Sequence, residues 1–157
     1  MRTRGRRTKG IEEAHPFAGM SQVNEDAAGV DIGAEEIVVC VAGDENTQIV
    51  KGFGNYTVDL HSIGEWLKEH NVKTVAMEST GVYWIPLFEV LESMGFKCLL
   101  ISSRSLRRVP GRKSDIIDAQ WIQTLHSYGL LESSFRPQAD LVALRTLLRH
   151  RAQLLEH

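Results

Sequence analysis

Runs of apolar residues divide the chain into five predicted β-strands, with amphipathic stretches between and after them. Each run is short, rich in Val, Ile or Leu, and bounded by Gly or polar residues. The runs occupy residues 27–33, 36–42, 48–57, 72–78 and 96–101. A turn at Ala34 and Glu35 joins the first two strands into a hairpin. Gly52 and Gly54 weaken the third strand, which we therefore expect at an edge of the sheet.

Helical spacing of apolar residues predicts four helices in the remaining stretches. These helices cover residues 59–70, 82–94, 114–128 and 139–157. The last two strands each follow a long connection, which is typical of parallel strands joined by crossovers. The order of elements predicts an α/β fold: a ribonuclease H-like five-stranded mixed sheet flanked by helices. A C-terminal helix would then start a coiled-coil linker.

The two ends of the chain differ in composition from its middle, and we divide the chain into three parts. Residues 1–26 are polar and basic without periodicity, and we expect a disordered tail or, alternatively, an arm that binds nucleic-acid phosphates. Residues 27–136 form the predicted ribonuclease H-like domain. Residues 137–157 begin a helical linker with leucines at helical spacing, through which we expect homo-oligomers to form.

The composition is that of a globular protein. The chain has 157 residues, 43% hydrophobic and 24% charged, and its net charge of −2 neither favours nor excludes nucleic acid. Cys40 and Cys98 lie in apolar runs, as buried reduced thiols of cytosolic proteins do. No apolar run approaches the ~18 residues of a membrane span, and no signal-peptide core follows the basic N-terminus. We therefore expect a cytoplasmic protein without a membrane partner.

Two aspartates, Asp115 and Asp118, stand three residues apart in the predicted helix over 114–128. Side chains at this spacing are neighbours on a helix surface, with Cβ atoms about 5–6 Å apart. Asp118 falls inside the apolar arc of the helix and Asp115 at its edge, where a carboxylate is costly unless paired, hydrogen-bonded or metal-bound. The alternative for Asp115 is an ordinary first-turn acid, capped by Ser114 and favoured by the helix dipole.

Asp31 and Glu78 are the acids that we expect to join this pair. Asp31 lies on the first strand between Gly29 and Gly33, which would leave room for metal ions and a phosphate. Glu78 ends the fourth strand on a face of small side chains. Taken alone, Asp31 fits an ordinary aspartate at a strand end better. In a ribonuclease H-like sheet, however, the first and fourth strands are neighbours, so the two strand acids and the two helix acids would converge.

Four carboxylates in one pocket cannot all stay ionised without cations. Their hard oxygen ligands favour Mg²⁺ or Mn²⁺ over zinc. Two such ions about 3.5–4 Å apart would activate a water or hydroxyl and stabilise the leaving oxygen of a phosphoryl transfer. Five basic residues near the aspartate pair are expected to bind nucleic-acid phosphates: Arg104, Arg107, Arg108, Arg112 and Lys113.

Aromatic and histidine side chains receive no role in this interpretation. Tyr83 and Trp84 fit the packing of a helix better than the stacking of bases. His61, His70 and His126 fit helix surfaces. We therefore predict that the chemistry of the chain is carried by carboxylates and basic residues, without Cys/His zinc ligands and without a P-loop.

Three motifs carry a resemblance to a known family. They are Gly29-Val-Asp-Ile-Gly33, Met77-Glu-Ser-Thr-Gly-Val-Tyr-Trp84 and Val109-Pro-Gly-Arg-Lys-Ser-Asp-Ile-Ile-Asp-Ala119. Together they resemble the amino-terminal domain of the DEDD insertion-sequence transposases, the group that includes the Piv-type DNA invertases. The resemblance runs from about Ala27 to the C-terminus. It implies a RuvC-like catalytic domain that cleaves and transfers DNA strands, with four metal-binding acids: Asp31, Glu78, Asp115 and Asp118.

The same resemblance implies parts that we expect to be absent from this chain. Members of the family are similar in having a long helical linker, a second domain with a serine nucleophile, and guidance by a structured bridge RNA. The chain ends where the linker begins, so we expect that it does not complete recombination alone. The alternative is a non-catalytic nucleic-acid-binding or dimerisation fragment. A sugar-kinase-like ATPase half is a third hypothesis, since Val30–Gly33 also resembles an actin-type phosphate loop, but a second glycine-rich motif is lacking.

Overall fold

The computed structural model describes residues 6–9, 17, 19–79, 81–112, 116–133, 146 and 149. Their strands and helices are β1 Arg6–Lys9, β2 Ala27–Ile32, β3 Ile37–Ala42, β4 Thr47–Phe53, α1 Thr57–Glu69, β5 Thr74–Ser79, α2 Ile85–Ser93, β6 Lys97–Ile101, α3 Ser103–Arg108 and α4 Asp118–Ser127. The predicted helix over 139–157 lies outside the described residues, except for Thr146 and Arg149, which are helical.

The strands form one mixed sheet in the order β1-β4-β3-β2-β5-β6. β4, β3 and β2 are antiparallel neighbours, whereas β5 and β6 extend the sheet in parallel with β2. α1 and α2 lie in the connections that lead into the two parallel strands, because parallel pairing needs a crossover rather than a tight turn. The predicted α/β sheet, with its five mixed strands, is confirmed.

A sixth strand comes from the segment that we predicted to be a disordered tail. Arg6–Lys9 pairs antiparallel with the Thr47–Val50 part of β4, and Phe17 is buried against the rings of Trp121 and Tyr128. The prediction of disorder is wrong at these residues. The expectation that the third predicted strand, β4, lies at an edge of the sheet is also wrong, because β1 pairs with its outer side. Without β1, that side of β4 would present a row of backbone N–H and C=O groups, which a further segment can pair without any hydrophobic pattern.

Each face of the sheet carries its own hydrophobic core. α1 and α2 cover the face to which Val30 and Met77 contribute, and α4 covers the other face with side chains such as Trp121. Because side chains alternate along a strand, the residues that follow Val30 and Met77 point toward α4. These residues are Asp31 and Glu78. The alternation therefore places both strand acids under the helix that carries Asp118.

α4 is buried along residues 119–127 although much of it is polar. Gln48 Nε2 donates hydrogen bonds to Gln123 Oε1 at 2.7 Å and to the Gln120 carbonyl at 3.1 Å. Gln123 Nε2 in turn donates to the Ala27 carbonyl at 3.2 Å. Buried amides are costly unless they are hydrogen-bonded, so these contacts specify one position of the helix on the sheet. The network ties α4 to both β2 and β4.

Gly29 permits the close approach of α4 to β2. A side chain at this position would meet backbone atoms of Ala119 and Gln123. The prediction that Gly29 leaves room for metal ions and a phosphate is therefore wrong, because helix backbone fills that space. The N–H of Gly33 donates to the Glu36 carbonyl at 2.9 Å and so belongs to the turn between β2 and β3.

Two further side chains on α4 and β3 are buried. His126 is buried and its Nε2 lies 2.8 Å from Thr74 Oγ1, so the prediction of a surface histidine is wrong here. Cys40 is a buried free thiol, as predicted, and Cys98 is partly buried. Burial raises the pKa of both thiols, that of Cys98 to about 12. Among the described residues, no helix is long and apolar enough to cross a membrane.

Candidate metal centre

The two strand acids are neighbours across the parallel pair at the centre of the sheet. Asp31 of β2 and Glu78 of β5 occupy the same register position, as the ribonuclease H-like arrangement predicts. Both side chains are partly buried, on the face covered by α4. Two carboxylates at adjacent register positions repel each other, so this pair is favourable only with a cation or a proton nearby.

The third acid comes from the first residue of α4. Ile117 precedes the helix in an extended conformation, with φ −72° and ψ 159°, and Asp118 begins it. An acid in the first helical turn interacts favourably with the helix dipole. From there Asp118 reaches the strand acids: one ligand oxygen each from Asp31, Glu78 and Asp118 lies within 4.8 Å of the others. Three elements thus bring three carboxylates to one point.

The charges of the cluster are only partly compensated within the described residues. Burial raises the pKa of Asp31, and the charges of Asp118 and Glu78 raise it further, while Arg112 acts in the opposite direction. The Arg112 Nη2 atom lies 2.6 Å from Asp118 Oδ1, and the two side chains are 39% and 45% exposed. An exposed ion pair of this kind contributes only about 0–1 kcal/mol. One guanidinium does not balance three carboxylates, so the cluster can still bind a cation.

A hydroxyl group orients one of the carboxylates. Ser103 Oγ donates a hydrogen bond to Glu78 Oε1. Ser103 is the first residue of α3, which Ser102 caps by accepting a hydrogen bond from the Ser105 N–H at 3.2 Å. The sequence analysis did not identify Ser103. The sequence feature that could have identified Ser103 is its position just after β6. Ile101 of β6 pairs with Glu78, so the residues that follow β6 lie beside that carboxylate.

The predicted site residues have different outcomes. Asp31, Glu78 and Asp118 are brought together, whereas Asp115 and Lys113 lie outside the described residues. The predicted helix start at 114 is wrong, because the helix begins at Asp118. Ile116 and Ile117, which precede Asp118, are not helical.

The basic residues divide between a helix and the loop that follows it. α3, which the hydrophobic pattern did not predict, presents three exposed arginines: Arg104, Arg107 and Arg108. Arg112 lies nearer the acids, where it pairs with Asp118 and donates to the Ile116 carbonyl at 2.9 Å. Among the described arginines, Arg112 is the one that forms an ion pair with the acid cluster.

The donor set fits a hard divalent cation. Carboxylate oxygens are the preferred ligands of Mg²⁺ and Mn²⁺, whereas zinc favours Cys and His. In the described part of the chain, the cluster of Asp31, Glu78 and Asp118 is the one group of three such ligands close enough to share an ion. Cys40 and Cys98 lie elsewhere, with pKa values raised by burial, so they are protonated at neutral pH.

Comparison with known proteins gives a family and a fold. The sequence model of a transposase family, the DEDD transposases of the IS110 type, matches residues 28–157. Among solved structures, the chain is similar to RuvC of Thermus thermophilus, with a TM-score of 0.50 and 12% identity over 68% of this chain and 98% of that one. This similarity confirms the predicted RuvC-like fold.

A second solved structure is similar at a lower level. It is RuvC of T. thermophilus in complex with a Holliday junction substrate, with a TM-score of 0.40 and 15% identity over 75% of this chain and 87% of that one. No curated protein sequence matches the chain significantly.

Proposed function

The chain belongs to the DEDD transposase family, and we propose that it is the metal-dependent catalytic domain with which such a transposase cleaves and transfers DNA strands. The observation that carries the proposal is the meeting of Asp31, Glu78 and Asp118 within 4.8 Å. Three partly buried acids from three separate elements cost stability if they serve packing alone, and clusters of this kind are typical of functional sites.

We assign Mg²⁺ or Mn²⁺, as two ions, to this cluster, with Asp115 as the fourth acid. Such ions, when bound, supply Lewis acidity and an activated water or hydroxyl for phosphoryl transfer. Ser103 holds the Glu78 carboxylate in place through its hydrogen bond. Arg112 neutralises Asp118 in the protein without metal. With Asp118 serving as a metal ligand, the guanidinium of Arg112 would be available to a DNA phosphate.

We assign the remaining basic residues to the DNA backbone. Arg104, Arg107 and Arg108 are exposed on α3, the helix whose first residue contacts Glu78. Exposed arginines in this position can bind phosphates on a strand that enters the acid cluster, which is a sequence-independent and salt-dependent contribution. Lys113, next to Arg112 in the sequence, is assigned the same role.

The finer parts of the proposal rest on the family. We propose that guidance by a structured RNA, a second domain that carries a serine nucleophile, and homo-oligomers formed through the C-terminal helix complete the recombinase. A cytoplasmic location is part of the same proposal. The match to the transposase family includes Val30–Gly33, so the resemblance of this segment to a phosphate loop of sugar kinases needs no separate explanation.

A metal titration tests the proposal. Mn²⁺ or Mg²⁺ is expected to raise the melting temperature of the chain, because a ligand that binds only the folded state stabilises it. Asp118→Asn and Asp31→Asn should remove this rise, whereas Glu65→Gln, which changes an exposed acid of α1, should leave it intact. A wild-type chain whose melting temperature does not respond to either metal would contradict the proposal.

The exposed arginines of α3 favour a second candidate, a non-catalytic nucleic-acid-binding fragment. In that case DNA binding would fall with increasing salt but survive Asp31→Asn and Asp118→Asn, and no divalent metal would be required. Fluorescence anisotropy with labelled DNA, measured with and without Mn²⁺ for both variants, separates the two candidates. The catalytic candidate predicts strand cleavage or metal-dependent affinity that both variants lose.

A further inference from the structure

An apolar cavity of about 260 Å³ opens at the end of β2, on the face of the sheet that α1 and α2 cover. The cavity lies between β2, β3, the start of α1 and the turn before α2. Its apolar lining is formed mainly by Ile32, Ile37, Leu60, Val82 and Tyr83, and Asn55 adds an amide group. A mostly apolar concavity with a small number of polar groups is the usual form of a small-molecule site.

The two neighbouring aromatic residues in the turn before α2 behave differently. Trp84 is 4% exposed and its Nε1 donates to the Gly81 carbonyl at 3.1 Å, as packing requires. Tyr83 is 60% exposed and Val82 is 40% exposed, and both line the cavity. The prediction of a packing role thus holds for Trp84 and is wrong for Tyr83. An exposed tyrosine beside an apolar cavity offers a ring face to a ligand.

The chain connects this cavity to the acid cluster at two points. Ile32, which lines the cavity, directly follows Asp31 on β2, about 3.8 Å away between Cα atoms. The turn that carries Tyr83 follows β5, the strand of Glu78. Successive side chains of a strand point to opposite faces, so the acids and the cavity lie on opposite faces of the same end of β2. An extended ligand that passes over this end of the sheet can contact both the acids and the cavity.

We propose that the cavity receives one unpaired base of a DNA strand whose backbone lies across Asp31, Glu78 and Asp118, with Tyr83 stacking on that base. This inference rests on the proposed function. The size is sufficient, since a cavity of about 150 Å³ already holds a benzene ring. Stacking on an aromatic side chain tolerates any base.

Asn55 gives the bound base a polar contact. Its amide donates a hydrogen bond to the Ala34 carbonyl, and an amide has a second donor hydrogen and an acceptor oxygen that suit the edge of a base. A peptide or lipid occupant would share the apolar lining but would not need the adjoining acids, which repel anions unless a metal is bound. The position of this apolar cavity at the same end of β2 as the proposed metal centre therefore favours a nucleotide.

Photocrosslinking with the full chain tests the inference. Single-stranded DNA that carries one 5-iodouracil, irradiated with the protein in Mn²⁺, is expected to crosslink to the peptide that contains Tyr83. Tyr83→Ala should weaken binding of this DNA about tenfold, as loss of one stacked base does, whereas Tyr83→Phe should retain it. Tyr56→Ala is the matched control, because Tyr56 is 77% exposed and does not line the cavity.

The melting-temperature response to metal distinguishes a failure of this inference from a failure of the proposed function. All three tyrosine variants should keep the metal-dependent rise in melting temperature, which also shows that they fold. Equal DNA affinity of Tyr83→Ala and the wild type, or a crosslink outside the cavity, would overturn the inference while leaving the metal site intact. Tighter Tyr83-dependent binding of the matching RNA would overturn the choice of DNA. Loss of the metal response in the wild type would instead contradict the proposed function itself.

Discussion

Asp31 shows at the scale of one residue what the acid cluster costs the fold. Burial raises the pKa of Asp31, and its neighbours Asp118 and Glu78 raise it further. In the absence of metal, the folded chain therefore holds a proton on this carboxyl more tightly than the unfolded chain does. The charged form opposes folding at neutral pH, and this opposition decreases as the pH falls through the raised pKa.

We predict that Asp31→Asn stabilises the metal-free chain at pH 7. The gain should be near the low end of the about 0.5–2 kcal/mol typical of stabilising substitutions, since the side chain is only partly buried. Urea unfolding in the presence of a chelator measures it. In saturating Mn²⁺ the order should reverse, with the wild type more stable. A metal-free variant that is less stable than the wild type would show that Asp31 makes a structural contact.

His126 predicts a pH dependence of the opposite sign. Burial lowers its pKa to about 4, with Lys97 acting in the same direction and Asp26 against it. A histidine with a lowered pKa contributes stability above its unfolded pKa of about 6.5, and this stability is lost as the pH falls toward 4. Between pH 7 and pH 5 the loss should be on the order of 1–2 kcal/mol.

The variant His126→Gln isolates this contribution. Glutamine can hydrogen-bond to Thr74 but does not titrate, so the free energy of unfolding of the variant should fall less between pH 7 and pH 5 than that of the wild type. Denaturant unfolding at the two pH values measures the difference. An equal decrease in the free energy of unfolding of both proteins would mean that protonation of His126 does not cause the loss of stability at acidic pH.

The residues of the site were predictable to the extent that local pattern marks them. Asp31 and Glu78 stand at strand ends on faces of small residues, and Asp118 stands on the apolar arc of a helix. No local sequence pattern identifies Ser103, because its contact with Glu78 arises from the pairing of β5 with β6. Tyr83 could not be told from Trp84, since two adjacent aromatics satisfy the same pattern and only tertiary packing buries one of them.

At the scale of elements, the position of α4 determines whether Asp118 reaches the strand acids. The helix is held by the amides of Gln48, Gln120 and Gln123, and Gly29 allows it to approach β2. The sequence predicted the helix but not its start, because Ile116 and Ile117 continue the apolar pattern although Ile117 is extended. Periodicity does not detect a change of backbone conformation that leaves the side-chain pattern intact.

Gly29→Ala is predicted to displace α4. The added Cβ would meet backbone atoms of Ala119 and Gln123, which cannot move without the whole helix, so we expect a loss of about 1–3 kcal/mol of stability and weaker metal binding. Gly52→Ala is the control, because its Cβ would meet only the carboxylate end of the Glu36 side chain. Thermal and urea unfolding of both variants test the difference. Equal losses would contradict the close contact.

At the scale of the whole molecule, the sheet order was predictable and its outer edge was not. Hydrophobic runs predicted the five strands from β2 to β6, and the long connections predicted which of them are parallel. The hydrophobic pattern did not predict β1, because the pairing of Arg6–Lys9 with β4 uses backbone groups rather than apolar side chains. The family match over residues 28–157 covers the predicted site and the RuvC-like sheet, except β1.

The central claim is that one end of this sheet is a centre for divalent metal ions. Crystals of the chain grown or soaked in Mn²⁺ test it most directly, because anomalous scattering locates the metal without any assumption about activity. We predict an anomalous peak within bonding distance of the carboxylates of Asp31, Glu78 and Asp118, with Arg112 displaced from Asp118, and no such peak in crystals of Asp118→Asn. Mn²⁺ bound elsewhere, with these three carboxylates unoccupied at saturating metal, would contradict the account.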